Sequence, residues 1–206
     1  MKKSIILTAI ILITLVNIAL AQQNTNLFVV DHKYQKGSFD IIYPYFKGMN
    51  NTAAQDKINK ELKIMIDKFI ADNNNDTTSE AIVKYKVHHL SPEMISFTVT
   101  RYTYTGGAHG ASFREGYTYD LNSGERYEFS DLFEFDSSAR ANINEQITEQ
   151  IKERGIPIFE PFQGINDRPF FYIADNGQPI IFFQQYEVGP YSVGILEFAV
   201  MAKKVN

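Results

Sequence analysis

RYTYTGGAHGASFREGYTY (residues 101–119) places two runs rich in tyrosine and threonine on either side of a loop with three glycines in five positions. Alternating Tyr and Thr favour a half-buried strand, and glycine permits positive φ or a closely packed backbone. The stretch therefore predicts a β-hairpin with His109 at its tip. A second stretch, QQYEVGPYSVG (184–194), has the same combination of aromatic residues and glycine.

The first 21 residues have the pattern of a secretory signal peptide. Two lysines precede an almost wholly apolar run (4–20), and Ala19-Leu20-Ala21 then supplies the small residues of a cleavage site. A membrane anchor is the alternative, since the apolar run approaches spanning length. We expect cleavage after residue 21, export to the periplasm or the medium, and no stable membrane anchor afterwards.

Residues 22–206 are expected to form a single domain, because a chain of this length buries a sizeable core. The whole chain has 20 Lys and Arg against 24 Asp and Glu; without the two leader lysines the balance is 18 against 24, a net charge of −6. No nucleic-acid partner is expected, since phosphate contacts dominate that affinity, whereas a cationic partner would be attracted. The absence of cysteine excludes disulfides and thiolate chemistry.

Hydrophobic periodicity predicts the α+β class, with antiparallel sheets and two main α-helices packed on them. Helices are predicted at about 53–71, opened by a capping box at Thr52–Gln55, and at 136–154. No βαβ rhythm is apparent, which is why the sheets are expected to be antiparallel. The last strand, 193–201, is expected to be central. The other predicted strands are 27–34, 39–46, 80–90, 94–104, 111–121, 125–129, 170–174 and 178–185.

The four histidines do not have the spacing of metal ligands. His88 and His89 are adjacent and point to opposite faces of a strand, and neither an HxH pair nor an HExxH motif is present. We therefore expect neither a metal ion nor another cofactor.

Catalytic motifs are equally weak. Ser112 does not lie in a GxSxG elbow, and the carboxylates Glu115, Asp120 and Glu187 supply candidates for acid–base chemistry without defining a pair. We expect no catalytic residues. The alternative is a cell-wall glycan hydrolase or deacetylase accessory that uses His109 with one of these carboxylates.

The candidate binding residues come from the two aromatic and glycine-rich stretches. Tyrosine offers a large amphipathic contact area at low entropic cost, and glycines shape a rigid loop. Ordinary turns between core strands would fit the same residues. A binding role requires the two stretches to share one face of the molecule. The residues are Tyr104, Gly106, Gly107, His109, Tyr186 and Tyr191.

Three motifs carry a family resemblance: GGAHG (106–110), TYDLNSGERYEFSDLF (118–133) and QYEVGPYSVGILEF (185–198). They resemble an exported bacterial domain found in the extracytoplasmic part of RsiV-type anti-sigma factors and at the N-terminus of PdaC-type peptidoglycan deacetylases. The resemblance covers about 35–200, with a first motif region at about 35–115 and a second at about 116–200.

The resemblance implies a binding function. RsiV-type proteins recognise lysozyme through this domain, and PdaC-type enzymes hold their metal-dependent catalysis in a separate C-terminal domain. An acidic domain suits a strongly basic enzyme, because complementary charge speeds their encounter. We therefore expect an exported, non-catalytic binding domain of the bacterial cell envelope that recognises a lysozyme-type enzyme or peptidoglycan. A purely structural envelope module is the remaining option.

Overall fold

The computed structural model describes residues 27–205, and the predicted signal peptide lies outside this range. The helices are Thr52–Asn73 (α1), Phe129–Leu132 (α2) and Ser137–Glu153 (α3), with a 3₁₀ turn at Tyr191–Val193. Between residues 27 and 205 no helix has the length and apolar character needed to cross a membrane. The strands are Phe28–Lys36 (β1), Phe39–Lys47 (β2), Glu80–Leu90 (β3), Met94–Tyr104 (β4), Ala111–Asp120 (β5), Phe171–Ile173 (β6), Pro179–Phe183 (β7) and Leu196–Ala199 (β8).

The strands form two sheets, which confirms the predicted α+β class. The larger sheet has the order β1-β2-β3-β4-β5 and the smaller one β6-β7-β8. Neighbouring strands are antiparallel except β2 and β3, which run parallel over Phe39–Ile41 and Ala81–Val83. This pair corrects the expectation of antiparallel sheets throughout. α1 connects β2 to β3 and returns the chain to the start of β2, which is the crossover that parallel neighbours require.

Helix α1 is capped one residue earlier than predicted. Asn51, not Thr52, is the N-cap, and its side-chain oxygen accepts from the backbone N–H groups of Ala53 and Ala54 at 3.0 and 3.2 Å. The Gln55 side chain accepts instead from a backbone N–H that precedes the helix, at 3.2 Å. Asparagine caps at least as well as threonine, so the helix gains one residue at its start.

Two apolar clusters hold the helices against the sheets, as predicted. The first lies between α1 and one face of the larger sheet, and its fully buried members include Ile41, Phe46, Ile58, Leu62, Phe97 and Tyr117. The second joins α3 to the smaller sheet through Ile143, Ile147, Ile181 and Phe198. Gly155, with φ of +58°, ends α3 at the predicted position because its left-handed conformation suits glycine.

The opposite face of the larger sheet meets the smaller sheet at a polar junction. Ser96 Oγ accepts a hydrogen bond from the Ile173 backbone N–H at 2.8 Å and lies 2.8 Å from Thr118 Oγ1. Strand β6 approaches β5 so closely that a Cβ on Gly116 would lie 1.7 Å from the Phe171 carbonyl oxygen. Small hydroxyl side chains and one glycine on the larger sheet therefore allow the backbone of β6 to contact it directly.

Strand β8 lies at an edge, so the prediction of a central strand at 193–201 was wrong. β7 is the central strand of the smaller sheet. The apolar residues that indicated a central position are Leu196 and Phe198, which are buried in the α3 cluster. Glu197, between them, points to the opposite face and pairs with Arg114, so the strand is covered by apolar groups on one face only.

Candidate functional site

The two aromatic and glycine-rich stretches meet at one place on the surface. The rings of His109 and Tyr191 are stacked, with centroids 3.7 Å apart and planes 15° apart. His109 Nε2 lies 3.2 Å from the hydroxyl of Tyr186, whose ring centroid is 5.9 Å from that of Tyr191. The fold thus brings together side chains 77 positions apart. We call His109, Tyr186 and Tyr191 the aromatic cluster.

The hairpin loop is shaped by its glycines and braced from within. Gly106 and Gly107 have φ of +98° and +96°, which other residues rarely adopt. The Tyr104 hydroxyl donates to the Gly107 carbonyl at 2.8 Å. A Cβ on Gly110 would lie 2.3 Å from the ring of Tyr102. Of the six predicted binding residues, Tyr104 and the two glycines therefore determine the shape of the loop.

The hydrogen bonds of His109 define which ring nitrogen carries the proton. Nδ1 lies 3.1 Å from the carbonyl oxygen of Gly110, and a carbonyl only accepts. Nδ1 therefore donates, and in the neutral ring Nε2 accepts from the Tyr186 hydroxyl. This arrangement orients the exposed imidazole through one bond to its own loop and one to the facing loop.

Tyr186 has a strained backbone. Its φ of +66° makes it the one non-glycine residue with positive φ in the part of the chain that the structure describes. A left-handed conformation costs an L-residue about 1–2 kcal/mol, and such strain is concentrated at functional sites. The side chain is nevertheless 53% exposed. The fold therefore maintains a costly conformation that presents an aromatic ring to solvent.

Two glutamines attach the second loop to the larger sheet. The Gln184 side-chain amide accepts from the Arg114 N–H at 2.9 Å and donates to the Arg114 carbonyl at 2.7 Å. The Gln185 side chain accepts from the Ser112 N–H at 2.8 Å. These bonds cover the free edge of β5, which would otherwise offer unpaired backbone groups, and they fix the position of Tyr186. Neither glutamine was predicted as a site residue from the sequence, although both directly precede Tyr186.

An open aromatic depression is lined in part by the second loop, through Glu187 and Val188. It has a volume of about 310 Å³ and includes Phe159, Phe162, Glu160 and Glu187 in its lining. The Phe159 ring is 56% exposed, and its backbone N–H donates to the Val188 carbonyl at 3.0 Å. Exposed aromatic faces beside carboxylates are suited to cationic side chains.

The carboxylates considered for catalysis are engaged elsewhere. Glu115 pairs with Arg101 at 2.6 Å, Asp120 accepts from the backbone of the turn that follows it, and Glu187 accepts from the Gln184 N–H at 2.7 Å. The hydrogen-bond partners of the His109 ring among residues 27–205 are a carbonyl and a phenol. Within the described residues, therefore, no carboxylate forms an acid–base pair with this histidine.

The remaining ring-stacked histidines also lie against tyrosine. His32 stacks on Tyr45 with centroids 4.1 Å apart, and His88 stacks on Tyr172 at 3.7 Å. Across the described range, residues 27–205, no group of three or more His, Asp or Glu side chains converges to hold a metal ion.

Two family models match consecutive parts of the chain. The model described as deacetylase PdaC matches residues 31–112, and the protein of unknown function DUF3298 matches 130–202. The aromatic cluster takes His109 from the first region and both tyrosines from the second.

Two curated relatives come from Bacillus subtilis (strain 168). The anti-sigma-V factor RsiV is 24% identical over 187 residues, covering 83% of this chain and 65% of that protein. The peptidoglycan-N-acetylmuramic acid deacetylase PdaC is 24% identical over 103 residues, covering 48% of this chain and 22% of that protein. This chain therefore matches only part of the length of either relative.

Two solved structures share the fold. A DUF3298 family member from Bacteroides fragilis NCTC 9343 superposes with a TM-score of 0.62 at 13% identity, covering 87% of this chain and 92% of that one. A DUF3298 family protein from Pseudomonas aeruginosa PAO1 has a TM-score of 0.54 at 16% identity, with coverages of 87% and 90%. The solved structures show the shared fold, and the family models and curated relatives confirm the resemblance seen in the sequence, which is to the RsiV/PdaC-type DUF3298 domains.

Proposed function

We propose that this chain is an exported, non-catalytic binding domain of the bacterial cell envelope and that the aromatic cluster is its contact surface. The observation that carries the proposal is the convergence of His109 with Tyr186 and Tyr191 from two distant loops. The strained and exposed Tyr186 adds support, because the fold tolerates an energetic cost to present that ring.

The proposed partner is a cationic protein of the lysozyme type. Residues 22–206 carry a net charge of −6, and Glu187, which follows Tyr186 in the chain, lines the aromatic depression together with Glu160. Complementary charge accelerates encounter, while tyrosine rings provide contact area and cation–π attraction to Lys and Arg. The resemblance to RsiV-type proteins implies the same class of partner. Peptidoglycan is the alternative ligand.

Export follows from the first 21 residues, which we propose are removed as a signal peptide, leaving 22–206 as one exported domain. Expression in a bacterial host followed by N-terminal sequencing of the released protein tests this. We expect a mature chain that begins at Gln22. Retention of residues 1–21 on a membrane-bound protein would contradict it.

Titration calorimetry with a basic lysozyme tests the partner and the surface together. We expect micromolar or tighter binding that weakens as salt rises, because the charges are screened. Tyr191→Ala should weaken binding at least about tenfold, as loss of an aromatic anchor does. Tyr45→Ala is the matched control, since Tyr45 also stacks on a histidine but lies on β2.

The outcomes separate partner from surface. No binding to lysozyme at micromolar concentrations would remove the proposed partner, and co-sedimentation with peptidoglycan sacculi would then test the alternative ligand. Equal losses from Tyr191→Ala and Tyr45→Ala would show that the aromatic cluster is not the contact surface.

A further inference from the structure

We infer that a basic pocket at the polar junction between the two sheets binds a small anionic ligand through its carboxylate or phosphate group. The pocket has a volume of about 190 Å³ and lies on the face of the larger sheet that α1 does not cover. We call it the basic pocket. The ionisable side chains that line it and that the inference uses are Lys84, Lys86, His88, Arg114, Tyr172 and Glu197.

Strand register gathers the basic groups. Lys84 is opposite Thr100, and Thr100 is opposite Arg114, so these three side chains form one row across β3, β4 and β5. Lys86 lies two residues from Lys84 and therefore on the same face. In its own row Lys86 is opposite Thr98. Both threonines line the pocket together with the cationic side chains of the two rows.

A β-bulge places His88 at the end of this pocket. The register shifts between Val87 and His89, which leaves His88 without an opposite residue on β4. Bulges commonly redirect a side chain beside a functional site. Here the His88 ring stacks on Tyr172, and its Nε2 lies 2.9 Å from Thr98 Oγ1.

The charges of the pocket do not balance. Arg114 forms an ion pair with Glu197 and donates from Nε to Thr100 at 3.1 Å. The Tyr172 hydroxyl also donates to Glu197, at 3.3 Å, so this carboxylate is already occupied by two donors. Lys84 and Lys86 are exposed and form no ion pair within residues 27–205. Two uncompensated positive charges therefore remain in a chain that is acidic as a whole.

His88 adds a polar but uncharged side chain to the pocket at neutral pH. Burial, with smaller contributions from Lys86 and Arg114, lowers its pKa from 6.5 to about 4 against the opposing effect of the carboxylates Glu197 and Asp175, so the ring is neutral at neutral pH. A bound anion would stabilise the protonated imidazole and raise this pKa. The histidine therefore offers a built-in spectroscopic reporter of occupancy.

Size and donor geometry define the ligand. The pocket is smaller than the roughly 300 Å³ at which cavities for drug-sized ligands begin, so it admits one anionic group with a few attached atoms. Two ammonium groups and hydroxyl donors suit the oxygens of a carboxylate or phosphate. None of these residues belongs to the aromatic cluster, so the inference does not depend on the proposed function.

Nuclear magnetic resonance titration of the exported chain, residues 22–206, tests the inference. Inorganic phosphate and acetate are added separately at low ionic strength. We expect saturable shifts at the amides of Thr98, Thr100 and Arg114, and a rise in the pKa of His88. The double substitution Lys84→Gln/Lys86→Gln should weaken binding at least about tenfold. The control Lys36→Gln/Lys60→Gln changes the net charge equally and should alter affinity less than about twofold.

Each outcome is informative. Binding of both probes identifies the shared oxyanion as the recognised group, while binding of one alone assigns the site to a carboxylate or to a phosphate. The inference is overturned if neither probe saturates, if the shifts map elsewhere, or if both double variants weaken binding equally. Circular dichroism verifies that the variants, which alter exposed residues only, remain folded.

Discussion

Two histidine–tyrosine stacks in this fold have the same centroid separation of 3.7 Å. One is enclosed between strands, and the other lies on surface loops. His88 and Tyr172 lie on strands, inside the polar junction where the two sheets meet. His109 and Tyr191 lie on loops, and the imidazole is exposed. Ring geometry alone therefore does not reveal the role of such a pair. The elements that hold the pair decide whether it is enclosed between sheets or exposed on the surface.

Gly116→Ala should have the largest effect on the junction. The new Cβ would lie 1.7 Å from the Phe171 carbonyl oxygen, so the sheets must separate, and we expect the free energy of unfolding to fall by about 3 kcal/mol. Urea denaturation measures the loss. Gly177→Ala is the control: its φ is +79° but nothing lies within 4 Å of the added atom, so it should lose about 1 kcal/mol. Equal losses would contradict close sheet contact at Gly116.

Ser96→Ala tests the hydrogen bonds of the same junction. It would leave the Ile173 N–H buried without its partner, which should reduce the free energy of unfolding by about 2 kcal/mol. The exposed Ser192→Ala should change stability by less than about 0.5 kcal/mol. A loss below 0.5 kcal/mol for Ser96→Ala would show that the polar bond does not hold the sheets together.

His88 should make stability depend on pH. The unfolded histidine binds a proton near pH 6.5, but burial lowers the pKa in the folded state to about 4. Stability is therefore complete above pH 6.5 and declines as pH falls toward 4, by about 1–2 kcal/mol because the ring is partly solvated. Denaturant titrations at pH 7 and 4.5 should show a smaller decline for His88→Gln than for the wild type. His32→Gln should retain the wild-type decline; an identical decline in His88→Gln would refute this role.

Tyr186→Asn should have the smallest effect on stability, and unlike the preceding variants it should not destabilise the fold. Asparagine adopts positive φ more readily than tyrosine, so relief of strain offsets the lost contact with His109. We expect the free energy of unfolding to be unchanged or raised by up to about 1 kcal/mol. Tyr191→Asn, which relieves no such strain, should lose about 0.5–1 kcal/mol. If both variants lose the same amount, the loop stores no strain at Tyr186.

Local sequence patterns predicted most of the elements but not every pairing. Helices α1 and α3 have regular apolar spacing, and most strands alternate in polarity, because these patterns depend on neighbouring residues. The parallel pairing of β2 and β3 depends instead on how α1 packs, which no local pattern records. The N-cap moved from Thr52 to Asn51 because adjacent polar residues compete for that position.

The residue types of the candidate site could be predicted from the sequence, but the contacts between them could not. The glycines of GGAHG indicated unusual backbone angles, which Gly106 and Gly107 have. Contact between His109 and Tyr186 depends on how the second loop is attached to β5, so only the fold could establish it. The basic pocket combines residues from β3, β5, β6 and β8. In the sequence, only the alternation of Lys84, Lys86 and His88 along one strand indicated this pocket.

The affinity of Tyr186→Asn for a basic lysozyme tests the central claim most directly, because this variant should retain stability. We predict binding at least about tenfold weaker than that of the wild type, with unfolding free energy unchanged or higher. Loss of binding then cannot be attributed to loss of fold. An affinity within about twofold of the wild-type value, at equal stability, would contradict the assignment of the aromatic cluster as the contact surface.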